Sequence, residues 1–324
     1  MKRIVLSLAI IAALSAPVVQ AGEKLKILST IKPIHSLVSA ITGDLAEAEQ
    51  IIPNYGSPHH YSLKPSDIRK INTADLILRI DPNLESFLQK SLRSVAEDKV
   101  ISLSQSAGMN LLAATGKHLH KDETEHTEAH SGHDELSETA HSDEHHENEP
   151  PEALDYHLWL APDNAIVMAK SIRDQLIKIA PEHAEKLTDN TKQLIDEIDK
   201  TNAAIKQQLD SVTDTPFLVM HDAWQYFTKY YGLNQLGNIS AQERLKSSAK
   251  AISEARSTIT ESKVQCLIAE PNLKTKTLEI LTEGLPVNIT QIDPLGRNIA
   301  DSSLAYPELL QYTADKLLNC LKKK

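Results

Sequence analysis

Residues 181–209 read PEHAEKLTDNTKQLIDEIDKTNAAIKQQL, a run without glycine whose one proline is its first residue. Leu187, Leu194, Ile198, Ile205 and Leu209 recur at helical intervals, with Gln193 beside the stripe, so one face of a helix is apolar. At about 1.5 Å per residue this helix would reach roughly 40 Å, the breadth of a lobe. It is read as a single rigid connector, although the same pattern suits a surface helix belonging to one lobe.

On its amino-terminal side, short apolar runs alternate with helical patterns. Strands are expected at Leu25–Ser29, Glu49–Ile52, Ala74–Ile80 and Val100–Leu103, and helices at Ile34–Ile41, Pro65–Asn72 and Leu84–Val95. The carboxyl-terminal side repeats the plan. Strands are expected at Phe217–Met220, Cys266–Ala269 and Val287–Ile292, and helices at Ala223–Tyr230, Ser248–Ser262, Thr275–Glu283 and Pro307–Leu321. Strand–helix alternation implies an α/β fold of two lobes, each a mainly parallel sheet flanked by helices. The expected division is 1–21 as a signal peptide, 22–160 as the first lobe, 161–212 as helices including the connector, and 213–324 as the second lobe.

The first segment is an address. Lys2 and Arg3 precede the apolar run Ile4–Leu14, and Val19-Gln20-Ala21 forms a cleavage site of small residues, the pattern of an exported protein. Export places Cys266 and Cys320 in an oxidising compartment, where a pair of cysteines is expected to form a disulfide. The 324 residues carry 34 basic and 44 acidic side chains, a net charge of −10. That balance argues against nucleic acid as a partner, and 41% apolar residues exclude a disordered chain.

Residues 117–149 differ from the rest. They hold His118, His120, His126, His130, His133, His141, His145 and His146 among acidic side chains, with almost nothing apolar. Such a composition cannot form a core and reads as a mobile loop inserted in the first lobe. Neutral imidazole is a good ligand for zinc, copper and nickel, so the loop is expected to collect metal weakly and exchangeably. A solvated acidic linker is the plainer alternative.

Three other histidines sit near strand ends, where an α/β fold places ligands: His59, His157 and His221. They lie 98 and 64 residues apart, and spacing alone leaves each open between metal ligand and ordinary packed imidazole. His60 has a weaker claim, since neighbours such as His59 and His60 in an extended segment point to opposite sides; His35, early in an expected helix, reads as packing or surface, and His183, after Pro181 at a helix start, as solvated. Trp159 and Trp224 are expected to pack beside the ligand segments.

Four segments carry a resemblance. His59-His60-Tyr61-Ser62-Leu63-Lys64-Pro65-Ser66-Asp67 resembles the first signature of the metal-binding solute receptors of ABC importers. Asp155–Leu160 resembles their D-x-H-x-W-L signature, Leu218–Phe227 their third ligand segment, and Gln291–Gly296 their D-P-L-G loop. The His-rich insertion is similar to that of the ZnuA-type, zinc-binding branch. The resemblance implies a periplasmic receptor that delivers Zn2+ to an inner-membrane permease with a cytoplasmic ATPase, acting as a monomer. It implies His59, His157 and His221 as ligands, with Asp293 in the fourth position unless water or a Glu takes it. Manganese members carry Glu where His221 stands, and an imidazole there favours zinc. Some relatives have Glu immediately before the first His; here that residue is Pro58. Glu270 resembles a recurring family Glu that would orient a ligand imidazole. A zinc hydrolase or hydratase, or a metal-binding adhesin or buffer, remains the alternative, but no H-E-x-x-H or G-x-S-x-G is present.

Overall fold

The computed structural model describes residues 24–53, 56–114, 153–239 and 249–322. The expected signal peptide and the His-rich loop at 117–149 lie outside the described residues. No helix among the described residues is long and apolar enough to cross a membrane.

The first half contains β1 (Leu25–Ser29), α1 (Lys32–Thr42), β2 (Ala46–Gln50), α2 (Pro65–Thr73), β3 (Leu76–Arg79), α3 (Gln89–Leu92), β4 (Val100–Ser102), and the short strands β5 (Leu112–Ala113) and β6 (Leu154–Asp155). Then come α4 (Pro162–Ile179) and α5 (Ala184–Leu209). The second half contains β7 (Phe217–Val219), α6 (Gln225–Tyr230), β8 (Gln235–Asn238), α7 (Ala249–Glu261), β9 (Cys266–Ala269), α8 (Thr275–Thr282), β10 (Asn288–Gln291) and α9 (Ala305–Leu321).

Two four-stranded parallel sheets result, in the orders β2-β1-β3-β4 and β10-β9-β7-β8. Numbered within its own half, each sheet has the order 2-1-3-4, so both lobes repeat one topology. In such sheets the crevice beyond the carboxyl ends of the strands, where the winding reverses, is the place for ligands. Here it lies beyond β7 and β9 in the second lobe.

The sequence reading missed β8. Its residues, Gln-Leu-Gly-Asn, include no β-branched side chain, and it is an edge strand held only by β7. The helix expected at Leu84–Val95 is instead a 3-10 turn at Ser86–Leu88 followed by the single turn α3. The strand expected at Glu49–Ile52 starts earlier. Its pairing with β1 runs from Ala46, and Ile51 and Ile52 prolong it through backbone bonds to Ser29 and Thr30 of 2.9 and 3.0 Å.

The connector stripe becomes the buried face of α5, comprising Leu187, Thr191, Leu194, Ile198, Asn202, Ile205 and Leu209. Each such Leu or Ile contributes about 1.5–3 kcal/mol by leaving water. The helix packs on α1, α4 and α9, elements from both halves of the chain. Asn190 Nδ2 donates to Ile41 O at 2.9 Å, and Gln208 Nε2 to Asp315 Oδ1 at 2.7 Å. One continuous apolar core therefore runs from β1 and α1 through α5 to α9 and one face of β7 and β9. The other face of the second sheet packs a smaller core with α7 and α8, including Leu218, Leu267, Ile259 and Leu281.

Cys266 at the start of β9 and Cys320 near the end of α9 are joined by a disulfide. At the insertion, Leu112 and Ala113 pair antiparallel with Asp155 and Leu154. Beyond them, Ala114 N–H donates to Ala153 O at 2.6 Å.

Candidate metal centre

His221 follows β7 directly, after Met220, whose N–H is tied to Ile268 O at 2.8 Å. His157 stands two residues after β6, where a 3-10 turn, Leu158–Leu160, begins. His59 lies in the loop between β2 and α2. That loop is shaped by Asp67, whose Oδ2 accepts from Lys64 N at 2.8 Å and from Tyr61 Oη at 2.9 Å. The Pro65-Ser66-Asp67 start of α2 thus caps the helix and fixes the approach of the loop.

The three imidazoles converge. Ring centroids are 5.3 Å apart for His59 and His157, 5.5 Å for His59 and His221, and 5.0 Å for His157 and His221. Their ligand nitrogens all lie within 4.8 Å of one another. His59 Nε2 and His157 Nε2 are 3.3 Å apart. Tetrahedral zinc with Zn–N bonds of about 2.0–2.1 Å demands nitrogens roughly 3.3–3.4 Å apart, so one edge of that tetrahedron is already in place.

Two of the rings are aimed by carboxylates. His157 Nδ1 lies 2.8 Å from Asp155 Oδ1, which also accepts His157 N–H at 2.9 Å. Asp155 Oδ2 accepts from Gln225 Nε2 of α6 at 3.3 Å, and the same nitrogen donates to Ala113 O at 2.9 Å. Tyr226 Oη donates to Asp155 O at 2.8 Å and accepts from Leu112 N–H at 2.9 Å. His221 Nδ1 is hydrogen-bonded to Glu270 Oε1, just beyond β9. With Nδ1–H given to a carboxylate, Nε2 presents its lone pair to a cation.

Charge follows this arrangement. Desolvation lowers the His59 pKa to about 4, helped by repulsion from His157 and His221. Burial alone would depress His221 too, but the Glu270 carboxylate more than offsets it, and the pKa stands above the ordinary 6.5. Glu270 is correspondingly lowered: burial would raise it, and the bond from His221 outweighs that.

Among the described residues, His59, His157 and His221 form the one group able to hold a metal ion. Asp293, expected in the fourth position, is not in it. Its Oδ2 accepts from Arg297 N and Nε, both at 2.8 Å, and its Oδ1 from Leu295 N at 3.1 Å. The guanidinium has taken the carboxylate. His60 is outside the group, as is His35, whose Nε2 lies 3.5 Å from Ser39 Oγ on α1. His183 stands at a 3-10 turn beside Glu182. His118, His120, His126, His130, His133, His141, His145 and His146 lie outside the described residues. Sequence reasoning gave no role to Asp155, Gln225 or Arg297. Only Asp155, inside the D-x-H signature, carried a local signal.

The family described as "Zinc-uptake complex component A periplasmic" matches residues 27–320. A relative from Haemophilus influenzae, "High-affinity zinc uptake system protein ZnuA", is 33% identical over 347 aligned positions spanning all of both chains. One of the same name from Haemophilus ducreyi is 32% identical over 296, covering 91% of this chain and 93% of its own. A solved structure, "Crystal structure of ZnuA", superposes with a TM-score of 0.72 at 21% identity, covering 93% of this chain and all of that one.

Proposed function

The chain belongs to the family of periplasmic zinc-uptake component A proteins, and from that premise we propose that His59, His157 and His221 hold the zinc ion it carries. The protein is a zinc-binding receptor of a high-affinity uptake system. The observation that supports this ligand set is the meeting of three imidazoles from separate segments, two of them with Nδ1 hydrogen-bonded to a carboxylate. Three neutral nitrogen donors suit tetrahedral zinc, which has no need of redox chemistry or of a hard oxygen cage. The fourth position falls to water, since Asp293 is engaged by Arg297 and Glu270 by His221.

The receptor acts in the periplasm, after removal of residues 1–21, and gives its zinc to a permease powered by a cytoplasmic ATPase. It performs no catalysis. The histidines of residues 117–149 form a weak auxiliary store that raises the local zinc concentration. The lobes are 22–160 and 213–324, bridged by the helices of 161–212, and both contribute ligands.

The test is a zinc titration in competition with a chelator. The protein should show one tight site plus weaker ones. Deleting residues 117–149 should remove the weak sites alone, whereas His221→Ala should abolish tight binding. Retention of wild-type affinity by His221→Ala refutes the assignment.

A further inference from the structure

The loop 293–297 of the second lobe reaches across the cleft and ends on both first-lobe segments that carry an imidazole. Arg297 Nη1 donates to Gly56 O at 3.0 Å, three residues before His59. Trp159 Nε1 donates to Pro294 O at 2.8 Å. Trp159 lies two residues after His157, and its ring centroid is 5.3 Å from that imidazole.

The loop is itself held rigid. Asp293 is 4% exposed and accepts three hydrogen bonds from within the loop, two of them from Arg297. Gly296 turns the chain at φ +61°, and a Cβ there would come within 2.9 Å of Leu309 Cδ1 on α9. The Arg297 side chain is only 14% exposed and lines the same pocket as His59, His157 and His221. A guanidinium so placed needs its carboxylate. Were Asp293 to leave for a zinc ion, a poorly solvated cation would face a dication with only the charge of Glu270, to which it is not hydrogen-bonded, left to offset it.

We propose that Asp293 and Arg297 form a strap that fastens the second lobe to the His59 loop and governs how fast zinc leaves. Asp293 then serves the ion through Arg297, as a positioning residue, and does not ligate it. The forked guanidinium suits arginine to this role, because Nε grips Asp293 while Nη1 grips the Gly56 carbonyl. Trp159 is the second fastening, on the His157 side. The inference rests on the three imidazoles being the zinc site, so its test carries His221→Ala as a control.

The experiment measures zinc dissociation from the full chain by stopped-flow chelator competition for Arg297→Ala, Asp293→Asn and the double variant, with Arg297→Lys as the conservative change. Outer partners of metal ligands are typically worth about 10–100-fold. Dissociation should quicken about tenfold or more in each single variant, with association little changed. The double variant should be no faster than the singles, since the two residues act as one unit. Arg297→Lys, which keeps the ion pair but not the fork, should fall between wild type and Arg297→Ala. X-ray absorption at the zinc edge should show the same coordination in Asp293→Asn as in wild type. Wild-type dissociation in Arg297→Ala overturns the strap. So does an Asp293→Asn loss far exceeding that of Arg297→Ala and additive with it, which would mark Asp293 as a ligand. Tight zinc binding by His221→Ala instead overturns the site itself.

Discussion

Replacing Glu270 by Gln separates two consequences of one hydrogen bond, and they oppose each other as pH changes. The Glu270 carboxylate holds His221 Nδ1. In the variant the amide oxygen still accepts that proton, but charge assistance is lost. A hydrogen bond to a charged group contributes about 1.5–3 kcal/mol and a neutral one about 0.5–1.5. The difference of about 1–1.5 kcal/mol predicts roughly five- to tenfold weaker zinc binding at pH 8. Protons act the other way. In the wild type His221 titrates above 6.5 because the carboxylate outweighs burial, so a proton competes with zinc early as the solution is acidified, by about tenfold per pH unit below that pKa. Without that carboxylate, burial lowers the pKa against only the weaker pull of Asp222 and Asp155, and competition starts later. His59, at about 4, stays neutral throughout. Zinc affinity measured from pH 8 to pH 5 should therefore fall less steeply in Glu270→Gln, and the two curves should converge and then cross. Parallel curves, or a steeper fall in the variant, would refute the reasoning.

Three further outcomes follow from the fold. Glu85 is fully buried, and burial raises its pKa to about 7 against the pull of bonds from Thr30, Asp81 N–H and Ile80 N–H. A raised folded-state pKa means that its stability contribution is present below about 4.5 and lost as pH rises through about 7. Relative to Glu85→Gln, the wild type should therefore lose ground between pH 5 and pH 8 in thermal melts, and a pH-independent difference would contradict this. Cys266 and Cys320 close a loop with a sequence separation of 54, so the paired change Cys266→Ala/Cys320→Ala should cost about 4 kcal/mol in the chain-entropy account, read by urea unfolding. Ile198, with no exposed surface in the middle of α5, should cost about 2–5 kcal/mol on truncation to Ala. A loss below about 1 kcal/mol would mean that α5 is not a packed spine.

The lobes were legible because strands such as Leu25–Ser29 and Cys266–Ala269 are short apolar runs between helical patterns, and a parallel sheet covered on both faces leaves that mark. The α5 stripe was legible for the same reason, since its spacing is the periodicity of the buried face. β8 was not, because an edge strand built from Gln, Leu, Gly and Asn owes its existence to β7 and not to propensity. The helix expected at Leu84–Val95 failed where Glu85 gives its side chain to Ile80 and Asp81 N–H, a tertiary demand that no helical period reports. At the candidate metal centre, motifs pointed to the three imidazoles that converge although nothing in their spacing did. Gln225 and Arg297 stayed hidden because their partners, Asp155 and Gly56, lie 70 and 241 residues away. Asp293 carries the motif of a ligand, and its bonds to Arg297 are visible only in the fold.

The hairpin formed by β5 and β6 makes a doorway of fixed width. Ala114 and Ala153 are hydrogen-bonded neighbours, so whatever peptide joins them departs and returns at a single spot. Closing a longer chain there costs only about 0.6 kcal/mol per doubling of length. Asp155 and His157, just past the threshold, are held by bonds that do not pass through that peptide.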